Sequence, residues 1–457
     1  MTDTADVIVL GMGVGGELLA ERVADAGLDV VGIEANLVGG ECPYWGCIPT
    51  KMMTRAANAL AEARRVPQLA GTATVEPDWS PVAARIRAEA TDTWDDRVAV
   101  ERFEEKGGRF VRGTGRLDGP GRVQVGDRTF EARRGVVLAT GTRPAIPPLP
   151  GLDTVEYWTN HEAVATKELP RSLAVLGGGA VGVELAQVFA RFGSKVTIVE
   201  RSDGLLPPEE PEAGALVAEV FGSEAIDVRT GVGARSVARA ADGVEVELDD
   251  GPPLRAERLL VATGRRTELH PLGVASVGLD ADAHAVPVDE HLRAADRLWA
   301  IGDITGLGPF THIAVYQARI AAADILGGDA PPADYHALPR VTFTDPEVGA
   351  VGLTERRARE EGIDVRVGMA DLRTSSRGWI HKVANQGFNK IIEDPRRGVL
   401  IGATSVGPHG GETLGLLTLA VHAEVPIEKL RWMIYAYPTF HRGIEDALRD
   451  LREGERA

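Results

Sequence analysis

The sequence predicts an α/β chain built on two Rossmann-like dinucleotide-binding units, with a separate α+β segment after them. Two glycine turns of the form G-x-G-x-x-G each sit between a short apolar run and a helical pattern. Each helix then leads to a second apolar run ending in glutamate. The distance from first glycine to glutamate is 23 residues in both units, Gly11 to Glu34 and Gly177 to Glu200. After Pro331 and Pro332 the pattern changes to strands followed by helices.

In chain order, residues 6–10 read as a buried parallel strand and 14–26 as a helix stopped at Gly27. Residues 29–33 read as the second strand. Residues 55–105 look helical, and 108–138 hold short strands punctuated by glycine, including 122–125 and 129–131. Pro144, Pro147, Pro148 and Pro150 mark a crossover. The second unit starts with a strand at 172–176, a helix ending at Phe192 before Gly193, and a strand at 196–199. A strand group covers 227–263. Beyond Leu338 come strands at 341–343, 390–392 and 400–401, then helices at 411–424 and 427–434.

Composition excludes several classes. The 457 residues are 44 % hydrophobic and 26 % charged, the profile of a globular enzyme. The net charge of −17 opposes binding to nucleic acid or anionic lipid. No run of ~18 apolar residues spans a membrane. The segment before the first strand lacks the positive n-region of a signal peptide, so a cytoplasmic location is expected. Cysteine occurs twice, at Cys42 and Cys47. A disulfide framework needs more cysteines, and a metal site needs further ligands nearby, so none is assigned. A close pair in such a chain reads as redox chemistry.

Each glycine turn presents backbone N–H groups at a helix N-terminus, an anion site suited to a pyrophosphate. Gly11, Gly13 and Gly16, and then Gly177, Gly179 and Gly182, are its residues. Glu34 and Glu200 offer carboxylates to the hydroxyls of an adenosine ribose. Two dinucleotides and a dithiol in one chain suggest an electron relay from nicotinamide to flavin to disulfide.

The cysteines stand in Gly39-Gly40-Glu41-Cys42-Pro43-Tyr44-Trp45-Gly46-Cys47-Ile48-Pro49-Thr50-Lys51. This segment resembles the redox-active segment of the class I FAD-dependent pyridine nucleotide–disulfide oxidoreductases. Dihydrolipoamide dehydrogenase, glutathione reductase, mycothione reductase and mercuric reductase belong to that family. The resemblance runs along nearly the whole chain. Ala139-Thr140-Gly141 and Ala262-Thr263-Gly264 resemble its two A-T-G segments, and Ile301-Gly302-Asp303 its second flavin motif. Phe343-Thr344-Asp345-Pro346-Glu347 resembles the start of its dimerisation domain.

The resemblance implies an FAD-binding domain in two pieces, 1–147 and 268–335. It implies an NAD(P)-binding domain at 148–267 and a C-terminal α+β dimerisation domain at 336–457, in a homodimer. Gly40, Thr140, Gly141, Gly264, Gly302 and Asp303 join the cofactor residues. Cys47 becomes the thiolate against the flavin and Cys42 the interchange thiol. A nearby helix N-terminus is expected to lower the thiol pKa. Lys51, one of seven lysines against 43 arginines, is placed beside the flavin and paired with Glu184. Tyr44 and Trp45 either wall the flavin or shape a mouth for flat, apolar acceptors. An acid at Glu200 favours NAD(H) over NADP(H).

The chain departs from the family near its end. Where the disulfide reductases have a His–Glu dyad, this chain has Tyr437 and Arg442. His441 and Glu445, four apart and expected on one face of a helix, are the candidates for a displaced dyad. Mercuric reductases also lack that histidine, but this chain ends 451–457 without the cysteine pair they use. The expectation is an NAD(P)H-dependent flavoenzyme, dihydrolipoamide dehydrogenase-like, passing electrons through Cys42–Cys47 to a small-molecule acceptor. The alternative is a non-disulfide acceptor: a metal ion such as Hg(II), a quinone or oxygen.

Overall fold

The computed structural model describes residues 2–453, with side chains described to Leu451. Met1 and the terminal residues 454–457 of the expected cysteine-free tail lie outside the described residues. The chain forms two compact units. One comprises Met1–Pro49, Ala83–Ala145 and Gly264–Asp334, and the other Thr50–Val82, Ile146–Thr263 and Tyr335–Ala457.

The first unit is built on a mostly parallel sheet. Its strands run in the order Arg293–Ala295, Leu298–Ala300, Arg128–Leu138, Thr2–Leu10, Val30–Glu34 and Arg109–Arg112. Val7 pairs with Val30, and Val9 with Val137, in parallel register. The apolar run at 6–10 is therefore a central strand with both faces covered. It starts earlier than expected because Thr2 to Ala5 pair with Thr129 to Ala132 in parallel, along the first half of the long strand Arg128–Leu138. The helix Val14–Asp25 packs on Thr311–Ile325, where Gly15 allows the approach: a Cβ there would meet the Ala314 carbonyl oxygen at 3.1 Å.

The stretch expected to be helical over 55–105 is broken. The helix Cys47–Arg65 gives way to a short 3-10 turn at Val66–Gln68, where Pro67 stops it. Helix resumes at Ser80–Arg85, widens into a π-turn at Ile86–Ala90, and ends with the Thr91 hydroxyl donating to the Ile86 and Arg87 carbonyls at 3.1 and 3.2 Å. Asp92, Thr93 and Trp94 follow with φ of +46°, +60° and +59°. Three left-handed non-glycine residues in a row cost about 1–3 kcal/mol each. The helix Arg97–Glu105 begins after them. Pro67 marks the first break, but charge and alanine content hid the one at 92–94, because that turn contains no glycine or proline.

The second unit repeats the βαβ theme. Its four-stranded parallel sheet has the order Asp227–Thr230, Lys195–Glu200, Ser172–Leu176, Arg258–Val261. The helix Ala180–Phe192 ends at Gly193, as its sequence predicts. The strand group at 227–263 divides. Asp227–Thr230 and Arg258–Val261 join the parallel sheet, while Ala234–Ala240, Gly243–Leu248 and Leu254–Ala256 form an antiparallel layer. After Tyr335 comes a five-stranded antiparallel sheet, ordered Pro339–Thr342, Glu347–Gly352, Val399–Gly407, Phe388–Asp394, Arg366–Asp371. Phe388–Asp394 and Val399–Gly407 are buried along their whole length. The helices Gly410–His422 and Gly443–Glu453 cover the sheet, with Leu414, Leu417, Ile444, Ala447 and Leu448 in its core. No described helix is long and apolar enough to cross a membrane.

Buried polar groups hold this second unit together. Lys390, 3 % exposed, donates to Glu210 at 2.9 Å and Glu212 at 2.8 Å and pairs with Glu355 at 2.9 Å. The three-glutamate cluster thus carries its own cation. Arg191, also 3 % exposed, bridges Glu224 at 2.5 Å and Asp345 at 2.8 Å.

A Cβ on Gly182 would lie 2.0 Å from the Gly177 carbonyl oxygen. Gly182→Ala is therefore expected to destabilise the protein by about 1–3 kcal/mol. Urea unfolding measures this, and a midpoint equal to wild type would show that the turn is looser than the backbone implies.

Candidate functional site

The two glycine turns are built alike. Gly11 has φ +93° and Gly177 φ +110°. A Cβ on Gly11 would meet the Ala139 carbonyl oxygen at 2.5 Å, and one on Gly177 the Ala262 carbonyl oxygen at 2.3 Å. Gly16 and Gly182 sit at the same distance, 2.0 Å from Cβ to oxygen, on Gly11 and Gly177. Gly13 and Gly179 differ from these. They are the extended N-cap residues of the two helices, and a Cβ there would meet only Gly40 Cα at 4.0 Å or nothing at all. The first and third glycines serve packing, and the middle one leaves room for a ligand against the helix N-terminus.

Glu34 and Glu200 are placed by equal sets of bonds. Glu34 accepts from Met12 N–H at 2.8 Å and Asn36 N–H at 2.7 Å. Glu200 accepts from Gly178 N–H at 2.6 Å and Ser202 N–H at 2.7 Å. Each carboxylate oxygen takes one backbone donor and keeps a lone pair, which is what a ribose diol needs. The open middle glycine and the fixed glutamate fit a dinucleotide in each unit.

Cys42 lies in the short helix Glu41–Tyr44, half-buried, and Cys47 is the exposed first residue of the helix Cys47–Arg65. The two are thiols within hydrogen-bond reach of each other. The Thr311 hydroxyl, first residue of the helix Thr311–Ile325, lies 3.4 Å from Cys47 Sγ and also bonds Cys42. The bond to Cys47, together with burial, pushes the Cys42 thiol well above its ordinary range. That reverses the expected lowering at this residue. Cys42 is thus held in its protonated form, while Cys47 stands at a helix start and beside a hydroxyl.

Asp303 belongs to the 3-10 turn Gly302–Thr305. It accepts from Thr142 Oγ1 at 2.8 Å, and Arg265 Nε donates to the same hydroxyl at 2.8 Å. Arg265 also donates to the Thr142 carbonyl at 2.7 Å and pairs with Glu41 at 3.5 Å. Gly302 N–H donates to the fully buried Gln317 at 2.6 Å. Thr140 and Gly141 follow the strand Arg128–Leu138 directly, and Gly264, at φ +118°, accepts from Ala145 N–H at 2.9 Å. Gly40, at φ +68°, packs on Gly13.

In the second unit Lys51 Nζ pairs with Glu184 at 2.5 Å and lies 4.5 Å from the centre of the Phe343 ring. Glu184, 7 % exposed, also accepts from Phe343 N–H at 2.8 Å. Lys51 and Glu184 are therefore in contact, as the resemblance implied.

The C-terminal candidates are arranged otherwise. Tyr437 is 67 % exposed, with the Arg442 guanidinium 5.2 Å from its ring centre. The helix begins only at Gly443, so His441 and Glu445 do not share a helical face. Arg442 pairs with Glu445 at 3.1 Å, and His441 Nε2 lies 3.4 Å from Thr439 Oγ1. The displaced dyad is not formed. His441 lines a cavity of about 460 Å³ with Arg377, His409, Glu412 and Phe440. Tyr435, the next tyrosine along, is pushed up to about 12 by burial and donates to the Leu430 carbonyl.

Thr142, Arg265 and Thr311 were missed by sequence reasoning. Thr142 and Arg265 each directly follow an A-T-G segment, a signal that was present. Thr311 reaches the cysteines across 264 positions, which no local pattern reveals.

Glu184→Ala removes both the Lys51 pair and the Phe343 N–H bond, whereas Glu184→Gln keeps an acceptor for the latter. Alanine is expected to be the more destabilising by about 1 kcal/mol. Thermal or urea unfolding of both variants decides this, and equal losses would show that Phe343 N–H finds another partner.

Comparison with known proteins agrees with this construction. Residues 5–318 match the pyridine nucleotide-disulphide oxidoreductase model and residues 338–448 that family's dimerisation domain. The chain is 34 % identical to the mercuric reductase of Streptomyces lividans, over 96 % of this chain and 94 % of the relative. It is 32 % identical to the dihydrolipoyl dehydrogenase of Zymomonas mobilis, over 98 % of both. The solved HOCl-induced flavoprotein disulfide reductase RclA from Escherichia coli superposes with a TM-score of 0.85 at 26 % identity, over 97 % of this chain and 99 % of that one. The chain belongs to the class I pyridine nucleotide–disulfide oxidoreductase family, as an FAD-dependent oxidoreductase carrying the family's dimerisation domain.

Proposed function

We propose that the protein is a cytoplasmic, homodimeric NADH-dependent reductase of the EC 1.8.1 class, passing electrons through a Cys42–Cys47 dithiol to a small-molecule acceptor. In this reading residues 1–147 and 268–335 hold FAD, 148–267 hold NAD(H), and 336–457 form the dimer contact. FAD, when bound, supplies the two-electron carrier between nicotinamide and dithiol. The observation that carries the reading is the cysteine pair meeting Thr311 at the start of a 15-residue helix.

The chain's own residues divide the work. Reduction breaks the Cys42–Cys47 bond with two electrons and one proton; Cys42 holds the proton and Cys47 the charge. The Thr311 hydroxyl and the N-terminal ends of two helices hold that charge. Lys51, one turn further along the helix that begins at Cys47, holds a positive charge oriented by Glu184. Gly13 and Glu34 hold the ends of one dinucleotide, and Gly179 and Glu200 those of the other. Thr140, Gly141, Gly264, Gly302 and Asp303 line the flavin side.

Attack by Cys42 on a disulfide requires a base to take its raised proton. Tyrosine, with an ordinary pKa of ~10, is a poor base at neutral pH. Tyr437 is stacked under Arg442, and Glu445 is already paired. This favours a second reading, in which the acceptor needs no thiol protonation: a metal ion, a quinone or oxygen. Relatives named mercuric reductase and a solved RclA structure in complex with Cu(II) support it.

Purified holoenzyme with NADH, assayed against lipoamide, low-molecular-weight disulfides, Hg(II), Cu(II), quinones and oxygen, separates the readings. Tyr437→His with Arg442→Glu is expected to raise disulfide reduction by up to ~10²-fold and leave quinone reduction unchanged. Strong wild-type disulfide turnover that falls in Tyr437→Phe would make Tyr437 the working acid/base and remove the second reading. For the donor, NADH is expected to exceed NADPH in kcat/KM, and Glu200→Ala to narrow the gap. A tenfold wild-type preference for NADPH, about 1.4 kcal/mol, would show that Arg201 outweighs Glu200.

A further inference from the structure

Outside the residues already assigned, the costliest piece of backbone in the first unit is the turn Asp92-Thr93-Trp94. Thr93 is β-branched at φ +60°, where such residues are genuine outliers. The indole Nε1 of Trp94 is buried without a hydrogen-bond partner. Strain and an unsatisfied donor together persist only where the surroundings enforce them, and they mark functional positions.

What the turn produces is a grip on the cysteine segment. Trp94 stacks on Trp45, one of the four residues between Cys42 and Cys47, with ring centres 5.2 Å apart and planes 22° from parallel. The Arg87 guanidinium lies 5.6 Å from the Trp94 ring centre. Two residues on, the buried Asp96 accepts from Val38 N–H at 2.7 Å, four residues before Cys42, and pairs with Arg112. At its other end the turn is tied by Thr91, whose carbonyl accepts from Trp94 N–H at 2.7 Å. Residues 91–96 thus hold the segment 38–47 on both sides of Cys42.

We infer that Trp94 is a positioning residue for the dithiol. By fixing Trp45 it fixes the four-residue bridge between the sulfurs and raises the effective concentration of each thiol for the other. The inference rests on the proposed redox role of the cysteines. Reduction is the step given above, two electrons and one proton for one S–S bond, and the brace biases it toward the disulfide.

The test uses the FAD-loaded protein. The dithiol midpoint potential is measured against a thiol–disulfide buffer, and the long-wavelength charge-transfer band is recorded at two-electron reduction. Trp94→Ala is expected to lose tenfold or more in disulfide formation, a shift of about 30 mV toward more positive potential. The rate of flavin reduction by NADH should stay at the wild-type value. Trp94→Phe, which keeps a ring on Trp45, is expected to recover most of the shift. Thr93→Gly relieves the strain with Trp94 retained and is expected to keep the wild-type potential. A wild-type potential in Trp94→Ala overturns the inference. So does an equal shift in Thr93→Gly, which would assign the effect to the turn and not to the stack. If Trp94→Ala does not fold, the comparison of Trp94→Phe with Trp94→Leu carries the same decision. Absence of the band in both wild type and Cys42→Ser overturns the redox role of the cysteines, and the inference with it.

Discussion

Everything the two nucleotide units do depends on one contact, the approach of a helix glycine to the carbonyl of the glycine that ends the preceding strand. Gly16 on Gly11 and Gly182 on Gly177 leave no room for a methyl group. That approach sets the helix N-terminus over the strand end, so that Gly13 and Gly179 are open to an anion. It also brings Met12 and Gly178 to where their N–H groups fix Glu34 and Glu200. Open helix N-terminus and fixed carboxylate are thus a single construction, made twice, with the A-T-G alanines Ala139 and Ala262 closing it through bonds to Leu10 and Leu176.

This part of the fold was legible because it is local. The spacing of 23 residues, the apolar runs and the stop at Gly193 sit within one βαβ unit each, and the structure keeps them nearly to the residue. Between 55 and 105 the pattern misled. Alanine and arginine continue the helical pattern past Arg65, while Pro67, Pro77 and Pro81 interrupt it. In the left-handed turn at 92–94 only Asp92 is of a type that visits that region, and neither Thr93 nor Trp94 is. It is enforced from outside, by Thr91 and by the tie of Asp96 to Val38, and such enforcement has no sequence signature.

The candidate site divides the same way. Cys42, Cys47, Lys51 and the glycines announce themselves by type and spacing. The groups that tune them come from far along the chain: Thr311 to the thiols, Arg265 and Thr142 to Asp303, Phe343 to Glu184. The direction of the Cys42 shift is set nearer by, against the pull of Thr311. A helix start alone would favour the thiolate, but Cys42 donates to its neighbour and is half-buried, and both effects keep it protonated.

The C-terminal candidates give the clearest case of a pattern defeated by where a helix starts. His441 and Glu445 would meet only if the helix began before His441, and it begins at Gly443. With the helix starting there, Arg442 is the residue placed to pair with Glu445, and its guanidinium plane is also free to lie on Tyr437. One arginine therefore engages both the acid and the aromatic ring at once. With the carboxylate already paired and the ring covered by the guanidinium, neither is placed to orient a histidine as the usual dyad glutamate would. The contacts around the glycine turns and the cysteines are formed regardless: Lys51 pairs with Glu184, Cys47 meets Thr311, and both glutamates have their backbone donors. In the proposed reading, electron entry and electron exit fall to separate groups of residues, and the departure at Tyr437 and Arg442 lies in the exit group.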